Sequence, residues 1–486
     1  MRLSELLREV EFEGSIKNDF DIKFVTDDSR LVRPGALFVC IRHRSFDGHT
    51  AAAEALASGA AAVVTQERLG LENELNVADS RAAYARLCAA LCGHPERKLR
   101  MIGVTGTNGK TTVTTLIRNI LSDSGIKTLL TGTVCNRLGE ESLPSGLTTP
   151  KPPELYSLLS RAVLSGCEAC VAEASSQALA QGRLEGIAFD AAVFTNITRD
   201  HLDYHGTFEN YLAAKKKLFE HSEVSAVNLD DPRADEIIAA SSGKTVTFST
   251  VLDCADYTAK NISLLPEGVG FELVSKGRIE HINFASPGLF SVSNAMAAAV
   301  CAINLGVDPR SAAQSLARSK GVCGRLERVE CGTPYSVIID YAHTPDGLEQ
   351  VLRALRPSCR GKLIVLFGCG GDRDKTKRPL MGAAACKYAD TVIVTSDNPR
   401  SEEPMKIIGD ILKGTDKKRR GLFIEEDRRR ATALALSLAT PGDTVLLAGK
   451  GHEKYQLICG EKLPLDERET VREILGLPHD TGRKKP

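Results

Sequence analysis

Short β-branched runs alternate with alanine- and leucine-rich stretches of helical spacing along most of the chain, the pattern of strands and helices laid down in α/β layers. Residues 36–66 read strand (ALFVCI), polar loop (RHRSFDGH), alanine-rich helix (TAAAEALASG) and strand (AAAVVTQ). The helix that follows, over residues 80–92, carries Tyr84, Leu87, Cys88 and Leu91 at three- and four-residue spacings and stops at Gly93-His94-Pro95. These elements predict a small N-terminal α/β domain over residues 1–95.

From residue 96 the run MIGVTG is a strand ending in glycines, and the helix behind it continues through Ser124 to a stop at Gly125. The further strands KTLLTGT, ACVAEAS, DAAVFTN and SAVNLDD alternate with helical stretches, so residues 96–323 predict a doubly wound, mostly parallel sheet. A polar, strand-like stretch at residues 245–285 is expected to complete it, before a helix over residues 294–305. Residues 324–486 repeat the alternation as a Rossmann-like α/β domain, with strands YSVIIDYA, KLIVLFG, TVIVTS and TVLLAG. Ligands gather at the carboxyl ends of strands in open α/β sheets, which puts DYAHTPD, GCGGDRD, SDNPR and GKGHE on one rim.

Composition narrows the classes. At 486 residues the chain is too long for one hydrophobic core, and about 150 residues per domain gives about three. Lys plus Arg and Asp plus Glu both number 62, so no overall field draws the chain to nucleic acid or an anionic membrane. The start, MRLSELLREVEFEG, breaks its apolar residues with charges, and no later run approaches ~18 apolar residues, so neither export nor membrane insertion is expected. The 14 cysteines are scattered, many within apolar runs, and read as reduced and buried; Cys167 and Cys170 have no second pair at zinc spacing.

The sharpest chemistry lies at the end of MIGVTG. Gly106-Thr107-Asn108-Gly109-Lys110-Thr111-Thr112 keeps the working end of a phosphate loop, although Val104 stands where the strict G-x-x-x-x-G-K-[ST] form has its first glycine. Gly109 lets backbone N–H groups approach phosphates, Lys110 offers a cation to the β and γ oxygens, and the Thr111 hydroxyl suits Mg²⁺. Taken alone, this loop fits a kinase, a GTPase switch or a ligase.

The G-T-N-G-K-T-T form, with D-S-R at Asp28 to Arg30 and G-K-G-H-E at Gly449 to Glu453 in one chain, resembles the Mur ligase family. The resemblance implies three domains: a UDP-sugar-binding one (1–95), a central ATP-binding one (96–323) and an amino-acid-binding one (324–486). It implies that Ser29, Arg44, Ser45 and Phe46 contact the UDP-sugar, and that Thr148, Thr149, Ser175, Gln181 and Arg183 hold the muramoyl-dipeptide. Asn294 would meet adenine, and Arg325, Asp340 and His343 would complete ATP binding from the third domain, with Asp340 or His343 as acceptor of a proton in the second step. Glu173 and His201, at strand ends, would bind a second Mg²⁺ beside the one on Thr111, while His205 reads as a loop residue.

In this family a lysine on the next helix is modified by CO₂, and the match is Lys215, first lysine of Y-L-A-A-K. An ammonium among Mg²⁺ ions is repelled towards its neutral amine, which takes up CO₂ and returns as an anionic carbamate able to bind metal. Asp397-Asn398-Pro399-Arg400 resembles the turn of the meso-diaminopimelate-adding branch: Arg400 suits a distal carboxylate that lysine lacks, Arg373 offers a second cation, and Gly449 and Glu453 receive the distal ammonium. The implied substrates are ATP, UDP-N-acetylmuramoyl-L-alanyl-D-glutamate and meso-diaminopimelate, joined through an acyl phosphate by a cytoplasmic monomer. A lysine-adding relative and a folylpolyglutamate synthetase-like ligase are the alternatives within the family, and a nucleotide-driven switch the alternative outside it.

Overall fold

The computed structural model describes residues 1–14, 18–43, 46–265, 267–416 and 419–478. They form two compact units, residues 1–248 with 297–311 and residues 249–296 with 312–486. Among the described residues no helix is long and apolar enough to cross a membrane. The thiols are free, with Cys167 and Cys170 buried and Cys170 pushed up to about 12 by burial.

In the first unit the strands Phe24–Thr26, Ala36–Val39, Ala60–Thr65 and Glu74–Asn76 pair in parallel, in chain order. Helix Ser80–Leu91 follows, started by the Asp79 carboxylate, which accepts from the N–H groups of Arg81 and Ala82. It packs on helix Pro152–Leu164 of the central segment. One apolar core therefore runs from Leu3 and Leu87 to Leu155 and Ile237.

The central sheet has parallel strands in the order Lys244–Ser249, Ser222–Asn228, Phe189–Phe194, Arg100–Thr105, Ala169–Glu173, Thr128–Thr131. An antiparallel ribbon, Asn136–Leu138 and Glu141–Leu143, extends its edge. Its middle strands are buried along nearly their whole length, so they read as unbroken apolar runs rather than alternation. Strand Arg100–Thr105 thus ends between the ends of Ala169–Glu173 and Phe189–Phe194.

In the second unit, residues 257–284 form an antiparallel meander, Tyr257–Leu265, Gly268–Ser275 and Arg278–Phe284. Helix Leu289–Asn304 begins before the expected residue 294. A second sheet runs Glu327–Arg328, Ser336–Asp340, Thr444–Ala448, Leu363–Phe367, Thr391–Val394, Leu422–Ile424, parallel apart from its first strand. Apolar clusters cover both its faces, and a ribbon of Tyr455–Ile458 and Glu461–Pro464 lies beyond its last long strand.

Candidate functional site

The phosphate loop is shaped by its neighbour strand as much as by its own glycines. A Cβ on Gly106 would stand 1.9 Å from the Thr195 hydroxyl, so only glycine passes there. Gly109 takes φ 88° to start helix Lys110–Asp123. The segment after strand Phe189–Phe194 straps the loop down. Thr195 Oγ1 donates to Asn108 O at 2.6 Å, the Asn108 N–H donates to Asn196 Oδ1 at 2.9 Å, and the Thr107 N–H donates to Asn196 O at 2.9 Å. The Lys110 ammonium donates to the carbonyls of Gly106 and Thr107, both at 2.9 Å, which keeps it over the loop. Thr112 lies half-buried in the first helical turn.

Glu173, at the end of the adjacent strand, is 1% exposed. It accepts from the Thr111 hydroxyl at 3.1 Å and from the N–H and hydroxyl of Thr133 at 2.8 and 3.0 Å. A carboxylate beside a threonine hydroxyl at the mouth of a phosphate loop suits Mg²⁺, which takes one or two carboxylates and completes its shell with water and phosphate. Among the described residues no group of three or more His, Cys, Asp or Glu gathers at metal-binding distance.

His201 starts the short helix Leu202–His205 at φ 53° with its ring half-exposed. Partial burial, with Lys110 and Lys215 nearby, holds its imidazole below its usual pKa against the pull of Asp200, which favours the neutral, ligating form. The loop reading of His205 is corrected: it closes that helix, 8% exposed, paired with the Ser176 hydroxyl at 3.0 Å and packed against Tyr204 and Tyr211.

Lys215 is 1% exposed, while Lys216 beside it is half-buried and Lys217 exposed. Burial first, and Lys110 second, push its ammonium well below its ordinary pKa. Its Nζ lies 4.6 Å over the ring of Tyr211, whose hydroxyl meets Thr107 Oγ1 at 2.9 Å. One phenol therefore touches the phosphate loop and shelters the lysine.

The residues expected for the dipeptide form one connected network. Thr149 Oγ1 donates to Glu173 O at 2.6 Å and lies 3.1 Å from the Ser175 hydroxyl, which caps helix Ser176–Ala180. Thr148 meets Thr133 at 3.0 Å. Arg183 donates to Thr149 O at 2.7 Å and, through two nitrogens, to Gln181 Oε1, and Gln181 donates to the Tyr204 hydroxyl at 3.1 Å. Ser29 and Phe46 follow neighbouring parallel strands of the N-terminal sheet, Phe46 being 46% exposed. Arg44 and Ser45 lie outside the described residues. Asp27, which the sequence did not single out, accepts from Lys151 at 3.0 Å and from the Tyr84 hydroxyl at 3.1 Å, tying the end of strand Phe24–Thr26 to the segment after Thr149.

In the second unit Asn294 is buried on its helix. Arg325 lies 4.7 Å over the ring of Tyr341. Asp340 is 6% exposed, and its two oxygens accept from the N–H groups of Leu326 and Ala342, both at 2.7 Å. Burial raises its pKa against the pull of Arg325 and those donors, so Asp340 clamps two backbone segments. His343 is exposed, with Nδ1 2.9 Å from Tyr341 O.

The D-N-P-R turn and the G-K-G-H-E loop interlock. Asp397, Asn398 and Pro399 are buried. Asn398 donates to Glu453 Oε2 at 2.9 Å, and a Cβ on Gly449 would stand 2.6 Å from Asp397 Oδ2. Arg400 adopts φ 53° and donates to Gly371 O at 2.6 Å, while Arg373 is exposed on the same G-C-G-G-D-R-D loop. The sequence reading missed Lys450 and Arg428, 0% and 2% exposed. Arg428 pairs with buried Glu467 at 2.8 Å and lies 3.8 Å from Asp397. A lysine between two glycines at a strand end was the only signal for the first, and nothing local marked the second.

Three family models match the chain: Mur ligase family, catalytic domain, over residues 21–89; Mur ligase middle domain over 104–302; and Mur ligase, glutamate ligase domain over 324–451. The UDP-N-acetylmuramoyl-L-alanyl-D-glutamate–2,6-diaminopimelate ligase of Syntrophomonas wolfei is 42% identical over 98% of this chain and 99% of its own. The protein of the same name from Caldanaerobacter subterraneus is 43% identical, with the same coverage. A solved structure of a ligase so named superposes with a TM-score of 0.72 at 34% identity, over 98% of this chain and 99% of the other.

Proposed function

The chain belongs to the Mur ligase family, and from that premise we propose that it is an ATP-dependent ligase joining meso-diaminopimelate to UDP-N-acetylmuramoyl-L-alanyl-D-glutamate in the cytoplasm, as a step of peptidoglycan precursor synthesis. Residues 1–95 take the UDP-sugar, 96–323 take ATP and 324–486 take the amino acid. The γ-carboxylate of D-glutamate attacks the γ-phosphorus of ATP, giving an acyl phosphate and ADP. The amine of diaminopimelate then attacks the acyl carbon, phosphate leaves and the amine loses a proton.

Lys110, held over the loop, faces the negative charge of the transferring phosphoryl group. Thr111, Glu173, His201 and Lys215, the last as its carbamate, would hold Mg²⁺, which would supply charge neutralisation to the phosphates. Lys215 suits carbamylation because its amine is buried, and burial and Lys110 push its pKa well below the usual value, towards the neutral form that takes up CO₂. The network from Thr148 to Arg183 supports a dipeptide site, with Arg183 as the cation for a carboxylate. His343 is the exposed candidate for the departing proton, since both oxygens of Asp340 are occupied by backbone donors.

The observation that carries the choice of amino acid is the turn Asp397–Arg400, in which the Arg400 guanidinium donates to Gly371 O at 2.6 Å and Asn398 donates to Glu453 Oε2 at 2.9 Å. Lysine would leave that guanidinium without its carboxylate, and a site built for a polar group rejects analogues lacking it by up to about 10⁴-fold. Mass spectrometry of the product formed from ATP, Mg²⁺, the UDP-dipeptide and either diaminopimelate or lysine tests the reading. Diaminopimelate-containing tripeptide is expected; efficient lysine transfer would move the chain to the lysine-adding relatives, and ATP turnover indifferent to the dipeptide would refute ligation.

A further inference from the structure

Lys450 is the one side chain in the run Gly449-Lys450-Gly451, and it is wholly buried. Its ammonium donates to Asn398 Oδ1 at 2.6 Å and to Glu453 Oε2 at 2.9 Å, and it lies 3.9 Å from Asp397. The N–H of Leu457 donates to the same Asn398 oxygen at 2.8 Å, so two donors fix that side of the amide and turn its Nδ2 towards Glu453 Oε2, 2.9 Å away. Tyr455 presents its ring 5.6 Å from the ammonium. Lysine, asparagine and glutamate thus close a triangle in which each pair is bonded.

A buried ammonium persists only where its partners offset the loss of water. It takes no part in the sheet, whose strand Thr444–Ala448 is paired on both sides, with Ser336–Asp340 and Leu363–Phe367. What the charge does fix is the separation and orientation of Asn398 and Glu453, which come from turns 55 residues apart in the chain.

We propose that Lys450 is a positioning residue for the incoming amino acid: its ammonium locks Asn398 and Glu453 into one rigid edge, leaving the second Glu453 oxygen as acceptor for the substrate's distal ammonium. The inference rests on the diaminopimelate reading of this rim. Removing a charge-assisted hydrogen bond from a preformed edge loosens it, and a loosened edge weakens ground-state binding of the group it meets.

The test is steady-state kinetics of Lys450→Met, which keeps length and removes charge, with thermal melting alongside. The KM for diaminopimelate rises about 10- to 100-fold, the KM values for ATP and the UDP-dipeptide stay within about twofold, and kcat at saturation falls little. Should the methionine variant be insoluble, Lys450→Gln, which retains a donor to Asn398, gives a smaller rise in the same constant. An unchanged diaminopimelate KM beside a lowered melting temperature, or an equal rise in all three KM values, overturns the proposal. Wild-type enzyme that used lysine as well as diaminopimelate would overturn the substrate reading instead, and the KM split for the amino acid it did use would still decide the role of Lys450.

Discussion

The Thr111 hydroxyl, in the first turn of the helix behind the phosphate loop, donates to the Glu173 carboxylate at 3.1 Å. Two segments 62 residues apart thereby present a hydroxyl and a carboxylate to one point, and Glu173 is held there by Thr133 as well. Glu173→Gln keeps the shape and removes the charge. It is expected to raise the Mg²⁺ concentration for half-maximal activity by about 10- to 100-fold, the usual effect of disturbing an ion's immediate surroundings. A Mg²⁺ titration of ATP turnover with an unchanged midpoint would separate Glu173 from the metal.

Lys215→Ala is expected to abolish ligation, with formate or acetate restoring part of it by supplying a carboxylate in the vacated space. Failure of every short carboxylate would count against the carbamate. The same lysine makes a stability prediction. Its folded pKa lies well below the usual 10.5, so between those two values the unfolded chain holds the extra proton, and stability rises with pH across that window. Lys215→Met removes the penalty. Its melting temperature exceeds that of the wild type at pH 7, and the gap closes as pH approaches 10.5.

Arg400→Ala is expected to lower kcat/KM for diaminopimelate far more than for lysine, compressing a preference of up to about 10⁴-fold. Competition between the two amino acids, read by product mass, gives the ratio directly. A ratio unaffected by the substitution would remove Arg400 from substrate selection.

His452 is held down to about 4, first by burial and then by Arg325. Its unfolded value is 6.5, so as pH falls from 6.5 towards 4 the unfolded chain gains a proton that the native chain refuses, and stability is lost over that interval. The loss is roughly 3 kcal/mol at most. His452→Phe, which suits a ring packed beside Tyr341, flattens the acid side of a denaturation series; a series parallel to that of the wild type would assign the acid sensitivity elsewhere.

Much was legible from the chain alone, for a physical reason that differs by feature. The phosphate loop was readable because its chemistry is local: glycine, lysine and threonine act from consecutive positions at a strand end. The α/β alternation was readable because strands buried on both faces must be unbroken apolar runs. The rim carrying D-N-P-R and G-K-G-H-E followed from parallel strands ending on one edge.

The rest depended on tertiary packing. Helix Ser80–Leu91 packs on Pro152–Leu164 and makes one core of two segments, a contact between residues about 70 apart that no local pattern announces. His205 read as loop because a one-turn helix leaves too few residues for a periodic signal. Thr195, Asn196 and Tyr211 were not singled out, since each acts through a loop about 90 or more residues away in sequence. Sequence set which groups were available along the chain. Folding decided which were taken out of water: Lys215 and Lys450 are ordinary lysines by composition, and burial sets one over the Tyr211 ring with its pKa pushed down and bonds the other to Asn398 and Glu453.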